Sequence, residues 1–228
     1  NIIMMNKNIF GACDVSSQKE ILELLAKIYE EISGIKIGLQ YITQHSPEEI
    51  KELSKFKKPI FYDGKFFDIK NTLVESIKSL KNLNISYATV HLMNGLDALK
   101  AANEVANDLN IKLMGVSVLT SFGNEELEQL GFKDQMNKQV LRLIEIANQA
   151  NLHGVICSPL EIKIIKKVAP NLKCFTPGIR QDKNKNDQKR TMSARQALEA
   201  GSDCLIIGRP ITKGDPKKNI QEILSSLN

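Results

Sequence analysis

Residues 87–118 read YATVHLMNGLDALKAANEVANDLNIKLMGVSV, and this stretch decides the fold class. It opens with a short apolar run, Tyr87-Ala-Thr-Val90, and passes into an amphipathic segment over 96–108. It then returns to a second apolar run, Leu113-Met-Gly-Val-Ser-Val118. The short runs suit strands, and the longer segment has the length and spacing of a helix. Strand, helix and strand joined by short links is the pattern of a parallel pair with a helical crossover.

The same unit recurs outward in both directions. Upstream lie Ile9-Phe-Gly-Ala-Cys13, a helical stretch over 18–32 with Ile21, Leu24, Leu25 and Ile28 at helical spacing, Ile35-Lys-Ile-Gly38, and Pro59-Ile-Phe-Tyr62. Downstream lie Gly154-Val-Ile-Cys157, Leu172-Lys-Cys-Phe175 and Cys204-Leu-Ile-Ile207, with helical segments over 137–149, 160–169 and 194–200. Eight strand-like runs within 228 residues predict a (β/α)8 TIM barrel, an α/β fold occupying one domain over 1–228. The alternative is an open doubly wound sheet. Against it, no GxGxxG follows the first strand and no GxxxxGK[ST] occurs. The opening Asn-Ile-Ile, ahead of Met4 and Met5, is expected to be a remnant added before the natural start and is set aside.

Composition narrows the function classes. The formal charge of +5 comes from interspersed acids and bases, apart from a lysine-rich stretch over 183–190. Such an excess is either a solvated surface or an attraction for a small anion such as a phosphate ester. With no Trp and few aromatics, there is no aromatic-interleaved basic stripe of the kind that binds nucleic acid. No run is long and apolar enough to span a membrane, and no signal peptide is expected. Cys13, Cys157, Cys174 and Cys204 stand far apart beside apolar runs, and the three histidines are scattered. No metal site is expected, and the thiols read as buried and reduced in a cytoplasmic protein.

In a barrel of this kind the chemistry gathers at the C-terminal ends of the strands. The polar residues there are Asp14, Lys36, Asp63 and Lys65, His91, Thr120 and Ser121, Thr176-Pro-Gly-Ile-Arg180, and Gly208-Arg209. The densest segment is Tyr62-Asp-Gly-Lys-Phe-Phe-Asp68. Strand alternation places Asp63 and Lys65 on one face. Two readings of that pair are open, a rim ion pair or a reactive pair. In the second, carboxylates keep the lysine charged and ready to act as a general acid. Asp68 likewise reads as a helix N-cap or as a member of the site. The loops holding Gly178 and Gly208 sit where these barrels bind phosphate, and Arg209 can grip its oxygens. The polar segment 181–190 is either a surface loop or a lid over that phosphate, with Gln188 as a contact.

These positions resemble the bacterial type of orotidine 5′-phosphate decarboxylase. The motifs that carry the likeness are Asp63-Gly-Lys-Phe-Phe-Asp-Ile-Lys-Asn-Thr72, Val118-Leu-Thr-Ser121, Thr176-Pro-Gly-Ile-Arg180, Asp187-Gln-Lys-Arg190 and Ile207-Gly-Arg-Pro-Ile-Thr212. They occur in the family's order and span residues 14–212. The resemblance implies conversion of orotidine 5′-monophosphate to uridine 5′-monophosphate, the last step of de novo UMP synthesis, by a cytoplasmic homodimer with shared sites and no cofactor. It implies a charged array of Lys36, Asp63, Lys65 and Asp68, with Lys65 protonating C6 of the pyrimidine and Asp63 against the departing carboxylate. Asp14 and Lys36 would meet the ribose hydroxyls, and Thr120 or Ser121 the base. Arg180, Gln188, Gly208 and Arg209 would surround the phosphate, while Asp68 and Thr72 would reach into the partner's site. Gly64, Phe67, Lys70 and the segment Val90-His-Leu-Met-Asn-Gly95 depart from the family's usual residues. Those departures touch strand packing and the helix start, and His91 reads as a supporting or core residue. Magnesium-dependent enzymes on the same scaffold carry a Glu where this chain has Lys36, and a cation there would repel the metal.

Overall fold

The computed structural model describes residues 8–180 and 191–227. The strands are β1 (Ile9–Ala12), β2 (Gly34–Gly38), β3 (Ile60–Phe66), β4 (Tyr87–His91), β5 (Lys112–Val116), β6 (Gly154–Ile156), β7 (Lys173–Thr176) and β8 (Cys204–Ile207). The helices are α1 (Gln18–Ile28), α2 (Leu39–Ile42), α3 (Pro47–Glu52), α4 (Lys70–Lys78), α5 (Leu96–Asp108), α6 (Asn124–Gln129), α7 (Met136–Gln149), α8 (Ile162–Val168), α9 (Ala194–Glu199), α10 (Arg209–Thr212) and α11 (Pro216–Ser226). Every strand pairs in parallel with its neighbour in chain order, and β8 returns to β1 through Ile9↔Leu205 and Gly11↔Ile207. The result is the closed (β/α)8 barrel that the alternation of short and long apolar segments predicts.

Boundaries differ from the sequence expectation where tertiary packing overrides the local pattern. Helix α1 stops at Ile28 instead of 32, although Ile32 still packs in the core at 2% exposure. Apolar content therefore continues past the point where the backbone turns toward β2. Strand β3 runs to Phe66, well beyond the apolar run ending at 62. Strand β5 ends at Val116, which is the last residue paired with both β4 (His91) and β6 (Ile156), two residues short of the apolar run ending at 118.

The barrel interior is closed beneath the site by four rings. Phe10, Phe61, Tyr87 and Phe175 all touch one another, with centroids from 5.3 to 6.2 Å apart and mostly edge-on. Such pairs add about 0.5–1.5 kcal/mol each beyond the area they bury. Phe61 of this layer belongs to the same strand as Asp63, two residues on. The outer core is formed by the opposite strand faces and the buried stripes of the helices. All four cysteines are buried and free. Among the described residues, no helix is long and apolar enough to cross a membrane.

Candidate active site

The site begins with an irregularity in β3. Its pairing with β4 runs Tyr62↔Ala88 and then Phe66↔Val90, so β3 takes four steps where β4 takes two. Asp63, Gly64 and Lys65 thus stand opposite the single residue Thr89, and Lys65 adopts the left-handed φ of 46°. For a non-glycine residue that conformation is strained and must be held by its surroundings. Asp63 and Lys65 do share a face, as alternation predicts, but a bulge delivers them to the barrel mouth. Lys65 Nζ lies 2.8 Å from Asp63 Oδ2. On the other face a Cβ at position 64 would stand 2.9 Å from the Tyr62 ring, which stacks on Phe66 at 5.7 Å. The departure at Gly64 thus makes room for that stack.

From β2, Lys36 Nζ reaches Asp63 Oδ2 at 3.4 Å and Asp14 Oδ1 at 3.2 Å. Four charges of alternating sign therefore form one chain: Asp14, Lys36, Asp63 and Lys65. The Lys36 and Asp63 side chains are only 12% and 11% exposed, a burial tolerated only with paired charges. Burial works against the charged form of Lys36, but Asp63 and Asp14 outweigh it and its pKa is raised. Burial likewise opposes ionised Asp63. The charges of Lys36 and Lys65, with hydrogen bonds from Lys65 and Thr89, outweigh that and lower its pKa. Thr89, which sequence reasoning did not single out, donates to Asp63 Oδ1 at 3.0 Å and accepts from the Lys65 amide at 2.8 Å. Its only sequence signal is a hydroxyl within the apolar run of β4.

Above the aromatic layer lies a cavity of about 180 Å³ lined by Lys36, Phe61, Asp63, Lys65, Thr120 and several aliphatic residues, including Val116, Ile156 and Ile206. Thr120 borders it, whereas Ser121 is exposed and absent from its lining. A larger cavity of about 590 Å³ opens at the opposite, N-terminal mouth. There Asp203 is engaged by Lys166, Lys173 and the Cys174 amide, tying strand ends together. Chemistry, not size, distinguishes the two mouths, and the alternating charges stand at the smaller one.

The remaining candidates occupy neighbouring loops. Gly208 precedes α10, with Arg209 as that helix's first residue. A Cβ on Gly208 would lie 3.8 Å from Asp14 Oδ2, so this loop adjoins the charged chain. Gly178 O accepts from Met192 N, and Arg180 N donates to Met192 O. Ile179 and Met192 form an isolated parallel bridge. The segment 181–190, with Gln188 and the expected lid, lies outside the described residues.

Asp68 corrects the capping expectation. The cap residue of α4 is Ile69, and no side chain caps that end. The Asp68 carboxylate instead accepts from the Ile69 amide at 2.7 Å, and its own N–H donates to Asn94 Oδ1 at 3.1 Å. Asn94 also donates to Phe66 O and His91 O, clamping the β3–α4 loop to the end of β4. Asp68 and Thr72 are exposed, and because the Asp68 carboxylate bonds to the Ile69 amide and not to a lysine, it stands outside the contiguous chain formed by Asp14, Lys36, Asp63 and Lys65. Lys70 occupies the first position of α4, where proline is also well tolerated, and pairs with Asp97 at 2.9 Å. His91 is half-buried, and its Nδ1 accepts from Met93 N. Its ring stands 5.4 Å from Phe67. Burial and the nearby Lys65 charge lower its pKa.

Comparison with known proteins places this architecture. The sequence pattern of the Orotidine 5'-phosphate decarboxylase / HUMPS family matches residues 7–223. The chain is 36% identical over 221 residues to an orotidine 5'-phosphate decarboxylase of Wolbachia pipientis subsp. Culex pipiens (strain wPip), covering 96% of this chain and 98% of that protein. It is 37% identical over 228 residues to the one from Legionella pneumophila (strain Corby), covering 98% of each. The crystal structure of orotidine 5'-phosphate decarboxylase from Lactobacillus acidophilus superposes with a TM-score of 0.85 at 29% identity, covering 98% of this chain and 100% of that one. The chain belongs to the orotidine 5'-phosphate decarboxylase / HUMPS family.

Proposed function

We propose that this protein converts orotidine 5′-monophosphate to uridine 5′-monophosphate without a metal or organic cofactor. The observation that carries the reading is the chain Asp14–Lys36–Asp63–Lys65, in which one carboxylate oxygen of Asp63 lies between two ammonium groups. The substrate carboxylate sits against Asp63 in a pocket otherwise largely apolar. Repulsion there is relieved when the C6–carboxylate bond breaks and neutral carbon dioxide leaves. The bonding pair stays on C6, Lys65 delivers a proton to it, and the lysine regains its proton from solvent. Placing that charge beside a fixed ammonium stabilises the carbanion-like transition state.

Asp14 and Lys36 hold the ribose hydroxyls in this reading, and Thr120 contacts the pyrimidine. Arg180, Gln188, Gly208 and Arg209 receive the phosphate. The test is formation of uridine 5′-monophosphate from orotidine 5′-monophosphate in the presence of a chelator, with an undiminished rate expected. A rate restored only by magnesium would favour a metal-dependent relative on this scaffold. The placement of the Lys36 ammonium 3.4 Å from Asp63 argues against that alternative.

The active unit is a homodimer in which Asp68 and Thr72 serve the partner's site. In support, Asp68 is flanked by Phe67 and Ile69, which are 60% and 73% exposed and suit coverage by a second copy. Lys65→Ala and Asp68→Ala proteins, each inactive alone, are expected to regain activity on mixing and subunit exchange. One site in each mixed dimer is then intact, giving about a quarter of wild-type activity. Absence of recovery despite verified exchange would place Asp68 in its own chain's site or outside both.

A further inference from the structure

We propose that Thr89 is a positioning residue for the reaction, its hydroxyl holding both the Asp63 carboxylate and the left-handed Lys65 backbone in place. This inference rests on the decarboxylase reading for its kinetic test, and on geometry alone for its structural one.

Thr89 lies in β4 and is fully buried. Its neighbours Ala88 and Val90 join the outer core, while Tyr87 joins the inner aromatic cluster. Alternation therefore turns Thr89 toward the barrel interior. A hydroxyl has one proton and two lone pairs. Here the proton goes to Asp63 Oδ1 at 3.0 Å, and a lone pair receives the Lys65 N–H at 2.8 Å. Both bonds fall within residues 63–65 of β3, where ladder pairing to β4 is interrupted. One side chain thus replaces the missing backbone contacts of the bulge.

The consequence is a division of labour across the carboxylate. Oδ1 is occupied by a neutral donor, which leaves Oδ2 to Lys65 at 2.8 Å and Lys36 at 3.4 Å. Without the hydroxyl, Asp63 can rotate toward either lysine, and the Lys65 amide is left without its acceptor. Small displacements of this kind reduce the chemical step more than substrate binding, because the phosphate grip lies on other loops.

The variants are Thr89→Val, which keeps the shape and removes the hydroxyl, and Thr89→Ser, which keeps the hydroxyl. With orotidine 5′-monophosphate, Thr89→Val is expected to lower kcat by about 30-fold or more, with KM changed less than about threefold. Thr89→Ser is expected to stay within about fivefold of the wild-type kcat. Unchanged kcat in Thr89→Val overturns the proposal, as does a fall that Thr89→Ser shares, which would mark a packing role. Amide hydrogen exchange supplies the reading independent of turnover. The Lys65 N–H is expected to exchange about tenfold faster or more in Thr89→Val, and not in Thr89→Ser. If the wild-type protein forms no uridine 5′-monophosphate, the decarboxylase reading fails on its own. The exchange data then decide the positioning role, and equal Lys65 protection in all three proteins refutes it.

Discussion

Lys65→Ala is expected to lower kcat for orotidine 5′-monophosphate by about 10⁴-fold or more, on the combined loss of a general acid and a preorganised charge. A positioned proton donor alone contributes about 10²–10⁴-fold, and the ammonium also faces the charge developing at C6. The variant is expected to fold. The Lys65 side chain is 34% exposed, and Asp63 keeps Lys36 and the Thr89 hydroxyl as partners. Lys65→Arg is not expected to rescue turnover. Its guanidinium retains the charge but does not surrender a proton at neutral pH. The measurement is product formation beside circular dichroism and uridine 5′-monophosphate affinity. Uridine 5′-monophosphate formed by Lys65→Ala at the wild-type rate would end Lys65's role as proton donor.

The barrel was legible because its determinant is periodic. The run 87–118 displays strand, helix and strand in residue type alone, and helix α5 occupies the predicted span 96–108. Residues with obvious charge at strand ends, Asp14, Lys36, Asp63 and Lys65, were legible for the same reason, and the structure brings them into one chain. The bulge was not. Alternation places Asp63 and Lys65 on one face whether or not β3 carries extra residues, so the pattern is blind to the left-handed Lys65. Thr89 was hidden because a threonine inside a strand run is an ordinary β-former. Its role emerges only when β3 and β4 are laid side by side. Asp68 misled in the opposite direction. Its residue type suits a cap, yet the helix begins one residue later and its carboxylate bonds the adjacent amide.

Arg209→Ala is expected to reduce kcat/KM for orotidine 5′-monophosphate by about 10³-fold, since charge-assisted hydrogen bonds contribute about 1.5–3 kcal/mol each and a guanidinium offers two. At about 1.4 kcal/mol per factor of ten, two such bonds correspond to between 10² and 10⁴. Arg209 stands at the start of α10, just past the end of β8 and beside the Asp14 loop. Asp63 is paired with Lys36 and Lys65. The loss is therefore one of remote binding energy, which enzymes use to bring the reacting group into place. Orotidine, which lacks the phosphate, separates this from a structural fault. Its slow turnover is expected to be the same in Arg209→Ala and wild type within about twofold, because the contact removed is one that orotidine never makes. Arg209→Lys is expected to fall between, keeping a point charge but not the two-pronged geometry. Equal losses on both substrates would show that Arg209 supports the barrel mouth and not the phosphate. Normal turnover of the phosphorylated substrate by Arg209→Ala would remove Arg209 from the site altogether.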